Sequence, residues 1–91
     1  MKVQIFFIYA DDCSHCKSAL LMIENIVSKV KVKCEIMKYL FDTPAALGIA
    51  VNNDIDDLPG IVISGNNKKY IFKGKGYSEE KLLDAISKAS K

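Results

Sequence analysis

The chain has no arginine: its 13 basic residues are all lysines, set against 11 acidic ones for a formal net charge of +2. So weak a balance excludes a dedicated nucleic-acid surface. Without guanidinium forks the chain also lacks the group that best reads phosphate and guanine. No apolar run approaches the roughly 20 residues needed to cross a bilayer, so no membrane partner is expected. Repeats, linkers rich in Pro, Gly or Ser, and low-complexity stretches are missing as well. At 91 residues and 49% hydrophobic content, the composition is that of one globular domain, 1–91, with an adequate core and not a generous one. Cysteine is scarce too, three residues in all with a single close pair. A structural zinc site usually supplies two separated pairs, so no metal or other cofactor is expected.

The residues that are present divide the chain cleanly. Lys2 followed by apolar Val3–Tyr9 superficially resembles a secretory leader. Gln4 and Tyr9 fall within that stretch, however, and acidic Asp11 and Asp12 follow it in place of a small-residue cleavage site. A buried central strand covered on both faces is the better reading. From Cys13 to Lys29, Cys16, Leu20, Ile23 and Val27 recur at helical spacing, with Ala19 and Ile26 widening the stripe. The period then falls to two: Val30, Val32, Cys34 and Ile36 point one way, Lys31, Lys33 and Glu35 the other. Lysines on the open face suit an edge strand guarded against pairing with other chains.

Asp42-Thr43-Pro44 reads as a helix start, with a capping side chain and Pro in the first turn, and the short helix ends at Asn52-Asn53. An acidic loop, Ile55–Leu58, runs into Pro59. Ile61–Ser64 and Lys69–Lys73 flank Gly65-Asn66-Asn67, a hairpin signal. After Gly74-Lys75-Gly76, Ser78 caps a last helix whose first turn holds Glu79 and Glu80, and Leu82, Leu83, Ile86 and Ala89 are its expected buried stripe. The order is β-α-β-α-β-β-α. A right-handed crossover makes the first two strands parallel, and the hairpin adds an antiparallel pair, giving an α/β fold with a four-stranded mixed sheet flanked by three helices.

Chemistry concentrates at Cys13-Ser14-His15-Cys16, where the first strand gives way to the first helix. Thiols at i and i+3 can close a disulfide ring with little backbone movement. The first sits at the positive end of a helix, where a thiolate is stabilised. Cys13 is therefore the candidate nucleophile, and Cys16, one turn deeper on the apolar stripe, the candidate resolving thiol. A protonated His15 would lower the Cys13 pKa and Asp11 and Asp12 would raise it, with the helix end outweighing the solvated carboxylates. Ser14 and His15 thus tune the pair. Cys34 alternates with core residues and reads as a packed structural thiol.

Two segments in this order resemble the thioredoxin/glutaredoxin superfamily, in a minimal form without the N-terminal strand and helix of full-length thioredoxins. Tyr9-Ala10-Asp11-Asp12-Cys13-Ser14-His15-Cys16-Lys17 is similar to the superfamily's aromatic-Ala-x-x-Cys-x-x-Cys-Lys/Arg, and Ile55-Asp56-Asp57-Leu58-Pro59-Gly60-Ile61-Val62-Ile63 to the segment carrying its cis-proline. The resemblance spans essentially the whole chain. It implies that Pro59 is cis beside the cysteines and that the Leu58 backbone pairs with an extended substrate. It also implies that Gly74 and Gly76 form the loop a partner approaches. Asp12 stands where full-length thioredoxins carry Trp, and Phe7 where they bury an Asp, so proton transfer at Cys16 needs another route. Asp57-Leu58-Pro59 and Gly76-Tyr77-Ser78-Glu79 depart from the patterns by which glutaredoxins bind glutathione.

The expected function is that of a thiol–disulfide oxidoreductase acting on disulfide-containing proteins, reset by a thioredoxin-reductase-like partner or by glutathione. With neither a leader nor a membrane span read from the sequence, a cytoplasmic monomer is the expected form, and there a vicinal Cys pair is more often catalytic or metal-binding than structural. The alternatives are a metal site built from Cys13, Cys16 and either His15 or Cys34, and a redox-inactive interaction module on the same fold.

Overall fold

The first strand forms because Val3–Tyr9 combines β-branched and aromatic side chains with no Gly or Pro. In the computed structural model, which describes residues 2–91, it is β1 (Lys2–Tyr9). It is followed by α1 (Ser14–Lys29), β2 (Lys33–Leu40), α2 (Pro44–Asn52), β3 (Gly60–Gly65), β4 (Lys68–Lys73) and α3 (Glu79–Ala89). The sheet order is β2-β1-β3-β4. β1 runs parallel to β2, with Val3 beside Cys34 and Tyr9 beside Leu40, and antiparallel to β3, with Ile8 beside Gly60. Both edge strands carry lysines, as the sequence predicts for an edge.

One face of the sheet holds the core. Val3, Ile5, Phe7, Ile61 and Ile63 meet Cys16, Ala19, Ile23 and Ile26 of α1, together with Leu82, Ala85, Ile86 and Ala89 of α3. Burying an Ile such as Ile23 contributes about 1.5–3 kcal/mol. The opposite face is thinner. Ile8 alternates onto it and shares a hollow with Leu47 and Ala50 of α2, yet Gln4 is exposed and Val51 is 80% exposed. Coverage of β1 is therefore full on one side and partial on the other.

Two readings differ from expectation, the span of the second strand and the buried stripe of the last helix. The second strand begins at Lys33 and not at Val30, because Val30 is the C-cap of α1 and its N–H donates to the Ile26 carbonyl. The strand instead extends to Leu40, keeping Cys34, Ile36, Lys38 and Leu40 on the core side. In α3, Leu83 is 44% exposed and Ala85 takes its place in the stripe. Residues 82, 85, 86 and 89 follow i, i+3, i+4, i+7, and Leu83 stands about 100° away from Leu82.

The remaining local signals hold. Thr43 caps α2, its Oγ1 accepting from the Ala46 N–H, and Pro44 follows in the first turn. Asn66 and Asn67 both adopt positive φ (57° and 63°), closing the hairpin in the two-residue form whose twist matches the strands. Ser78 accepts from the Lys81 N–H at the start of α3.

Candidate active site

Cys13 is the N-cap of α1. Its extended backbone (φ −98°, ψ 106°) turns the sulfur back over the first turn, where it accepts the Cys16 N–H at 3.0 Å. A side chain in that position faces the unsatisfied N–H groups and the positive end of the helix, which favours a negative sulfur. The backbone is held on both sides, with Cys13 N–H donating to the Ala10 carbonyl and its own carbonyl accepting from Lys17, each at 3.3 Å. Cys13 and Cys16 form a disulfide with Cα atoms 5.2 Å apart, within the usual range. Cys13 is half-buried, whereas Cys16 is 2% exposed and belongs to the core cluster. One sulfur thus faces outward at a helix end while its partner lies against the interior.

Ser14 and His15 are exposed on the turn between them. The Tyr77 hydroxyl donates to the His15 carbonyl at 3.2 Å and so ties the segment before α3 to the active-site turn. Nothing in the sequence itself assigns Tyr77 a contact with the cysteine turn. The one signal available is its place between Gly76 and the Ser78 cap.

The Leu58–Pro59 peptide bond is cis and Pro59 is buried. The β1–β3 register carries Pro59 to the position beyond Gly60, at the same end of the sheet as Cys13. Gly74 N–H donates to the Pro59 carbonyl at 3.0 Å, so the loop after β4 lies against the proline loop. Gly74 is buried at φ +60°, and a Cβ there would strike the Asp57 carboxylate. Gly76 is exposed and donates to the Lys73 carbonyl. Cys13, Pro59 and the 74–77 loop therefore share one end of the molecule. One detail differs from the resemblance: the Leu58 N–H already donates to Asp57 Oδ1 at 2.9 Å, so an incoming strand would have to exchange with that carboxylate.

Cys34 is placed elsewhere. It pairs with Val3 at the far end of β1, about 20 Å of strand from Tyr9, so it does not join the Cys13–Cys16 pair. It is half-buried, and desolvation pushes its thiol pKa up.

No protein-family model matches the chain, and comparison with curated proteins finds no match. Solved structures do match. A thioredoxin mutant from Halobacterium salinarum superposes with a TM-score of 0.75 at 21% identity, covering 98% of this chain and 75% of that one. A thioredoxin-like protein from Clostridium perfringens gives 0.78 at 17% identity, covering 96% and 70%. The chain has a thioredoxin-like fold. A structure described as a malarial protein gives 0.75 at 17% identity and covers 98% of both chains, so the compact version of the fold is not peculiar to this sequence. Within this thioredoxin-like frame the cysteine pair stands where β1 meets α1. Among the described residues no helix is long and apolar enough to cross a membrane.

Proposed function

We propose that the chain is a dithiol–disulfide oxidoreductase that reduces disulfides in protein substrates. The observation that carries this reading is the Cys13 sulfur at the α1 N-cap, accepting a helix N–H and bridged to a buried Cys16. In the reduced protein the Cys13 thiolate attacks a substrate disulfide. One substrate sulfur leaves as thiolate, and a Cys13–substrate mixed disulfide forms. Cys16 then attacks the Cys13 sulfur, the second substrate thiolate leaves, and the Cys13–Cys16 disulfide closes. Two electrons pass from the pair to the substrate, and an external reductant restores them. The thioredoxin-like fold and the shared position of the proline and 74–77 loops support an extended polypeptide as the substrate, lying across Leu58, Pro59, Gly74 and Gly76. A reductase of the thioredoxin-reductase type or glutathione would supply the electrons, in a reducing cytoplasm.

Equilibration in thiol/disulfide buffers, with acid trapping and mass spectrometry, tests the reading. A potential of about −270 to −230 mV for the Cys13–Cys16 pair supports a reductase, and a value of about −180 to −120 mV would point to disulfide donation instead. Failure to form the intramolecular disulfide at any potential would overturn the oxidoreductase reading.

A further inference from the structure

Beside Cys16, on its β1 and β2 side, a pocket of about 240 Å³ opens between Cys16 and Lys17 of α1, Asp11 of the preceding turn and Lys38 of β2, against Phe7 and Tyr9. It matters because Cys16 is otherwise sealed, at 2% exposure. In resolving a mixed disulfide, a buried thiol must shed its proton, and burial disfavours the bare thiolate. Among the described residues no polar or charged side chain is fully buried, so the interior offers no base. Beneath the pair β1 presents Phe7, an apolar ring. The pocket is the exit that remains: its walls are mostly apolar, with Phe7, Ala10 and Leu20 among them, but it is open, its volume admits several waters, and Asp11, Lys17, Lys38 and the Tyr9 hydroxyl supply polar partners for them.

The groups facing that pocket differ in what they can accept. Lys17 and Lys38 are donors only, and the Tyr9 phenol is a weak base. Asp12 and His15 do not line it, and the Tyr77 hydroxyl is engaged with the His15 carbonyl. Asp11 alone brings an ionised acceptor.

We infer that Asp11, acting through water in this pocket, takes the proton from Cys16 as the mixed disulfide is resolved. This rests on the oxidoreductase reading. The Cys16 sulfur forms its bond to the Cys13 sulfur, and the Cys13–substrate bond breaks. The substrate sulfur leaves with the electron pair, and the Cys16 proton passes through water to the Asp11 carboxylate and on to solvent. No further oxidant enters. Asp11 acts on Cys16 through water without touching it, and Lys17 and Lys38 favour the negative charge that develops on sulfur. Two effects of Asp11 oppose each other, since its own charge disfavours a nearby thiolate. Water in an open pocket screens that charge. A positioned base typically contributes about 10²–10⁴-fold, and transfer through water places this one at the low end, so the base effect wins.

The reaction with 5,5′-dithiobis(2-nitrobenzoate) separates the two steps, run in a C34A background so that only the pair reports. The first thionitrobenzoate is released at a rate proportional to reagent as Cys13 attacks. The second is released in a first-order phase as Cys16 resolves. Asp11→Asn should slow the second phase about tenfold at neutral pH. It should leave the first within about threefold, since a screened surface charge is worth well under 1 kcal/mol. The deficit should shrink as rising pH supplies thiolate directly, and Asp11→Glu should restore most of the rate. A second phase that is unchanged or faster in Asp11→Asn overturns the inference. So does one slowed by the same factor at every pH, which would mark a packing role. If the parent protein releases no second equivalent at all, the oxidoreductase reading falls and takes the inference with it.

Discussion

At the C-terminal end of β1, Cys13 sits on a helix N-cap, accepts a backbone N–H and bridges to Cys16, with the proline loop and the 74–77 loop alongside. At the N-terminal end, beside Val3, Cys34 lies on the edge strand β2, away from any helix terminus and packed against the core with its thiol pKa raised by burial. The residue type is the same, and the surroundings differ in every term that governs thiol chemistry. A helix terminus and water favour the thiolate at one end, and desolvation opposes it at the other. The loops that could seat a polypeptide gather only where the helix begins. Under the proposed function, thiol reactivity is thus expected at one end of the sheet.

Substituting each cysteine in turn tests this contrast most strongly. Cys13→Ser should abolish reduction of insulin disulfides, a loss on the order of 10³-fold or more, because the nucleophile is gone. Cys16→Ser should leave Cys13 competent to attack but unable to be released, so a covalent adduct with the substrate accumulates in the mass spectrum. Cys34→Ala should keep the reduction rate within about twofold, as expected for a change far from the site. Equal losses from Cys13→Ser and Cys34→Ala would erase the distinction between the two ends.

Most of that distinction was legible in the sequence, because the signals involved are local. The Cys-x-x-Cys spacing, an apolar run before it and helical periodicity after it fix the cysteines at a strand–helix junction. Gly65-Asn66-Asn67 and Thr43-Pro44 likewise encode their own turn and cap. What escaped depends on contacts between distant segments. The Tyr77–His15 bond joins residues 62 positions apart, and the Asp57 carboxylate on the Leu58 N–H reflects one loop's conformation. The early start predicted for the second strand failed because period-two alternation continues through Val30 and Val32, although Val30 still caps α1 through its N–H to the Ile26 carbonyl.

A second contrast sets the loop beside the site against an open helix. Gly74 is buried at φ +60° with the Asp57 carboxylate in its way, whereas a Cβ on Gly48 of α2 meets nothing within 4 Å. Gly74→Ala should cost about 1–3 kcal/mol in urea unfolding, from the left-handed backbone and the displaced carboxylate. Gly48→Ala should add about 0.5–1 kcal/mol by favouring the helix. If both substitutions proved neutral, the 74–77 loop would not be held as tightly against the proline loop as the geometry indicates.

Smaller still is the effect of His15, which is exposed on the turn between the two cysteines. Its protonated ring would favour the thiolate form and so raise the potential. His15→Ala should therefore lower the potential, making the pair more reducing, by about 10–20 mV, the equivalent of a surface interaction of about 0.5–1 kcal/mol. The difference should narrow in high salt. A shift of the opposite sign would remove His15 from any tuning role.

The smallest expected effect belongs to Cys34, and it concerns pH and not turnover. Burial raises its folded-state pKa above the ordinary value of 9.0, so the folded protein holds this proton more tightly than the unfolded chain does. Where the folded state binds more protons, stability falls as pH rises. The contribution is therefore fully present below about pH 9 and is lost as the pH climbs through the raised folded value. Lysines and tyrosines titrate over the same range, so the parent protein alone cannot isolate it. Urea unfolding of the oxidised protein and of oxidised Cys34→Ala, with Cys13 and Cys16 bridged and silent, subtracts the common background. The parent should show the steeper loss of stability above pH 9. Identical slopes would mean that Cys34 meets water as freely as the unfolded chain does, and the two ends of β1 would then differ in helix and loops but not in desolvation.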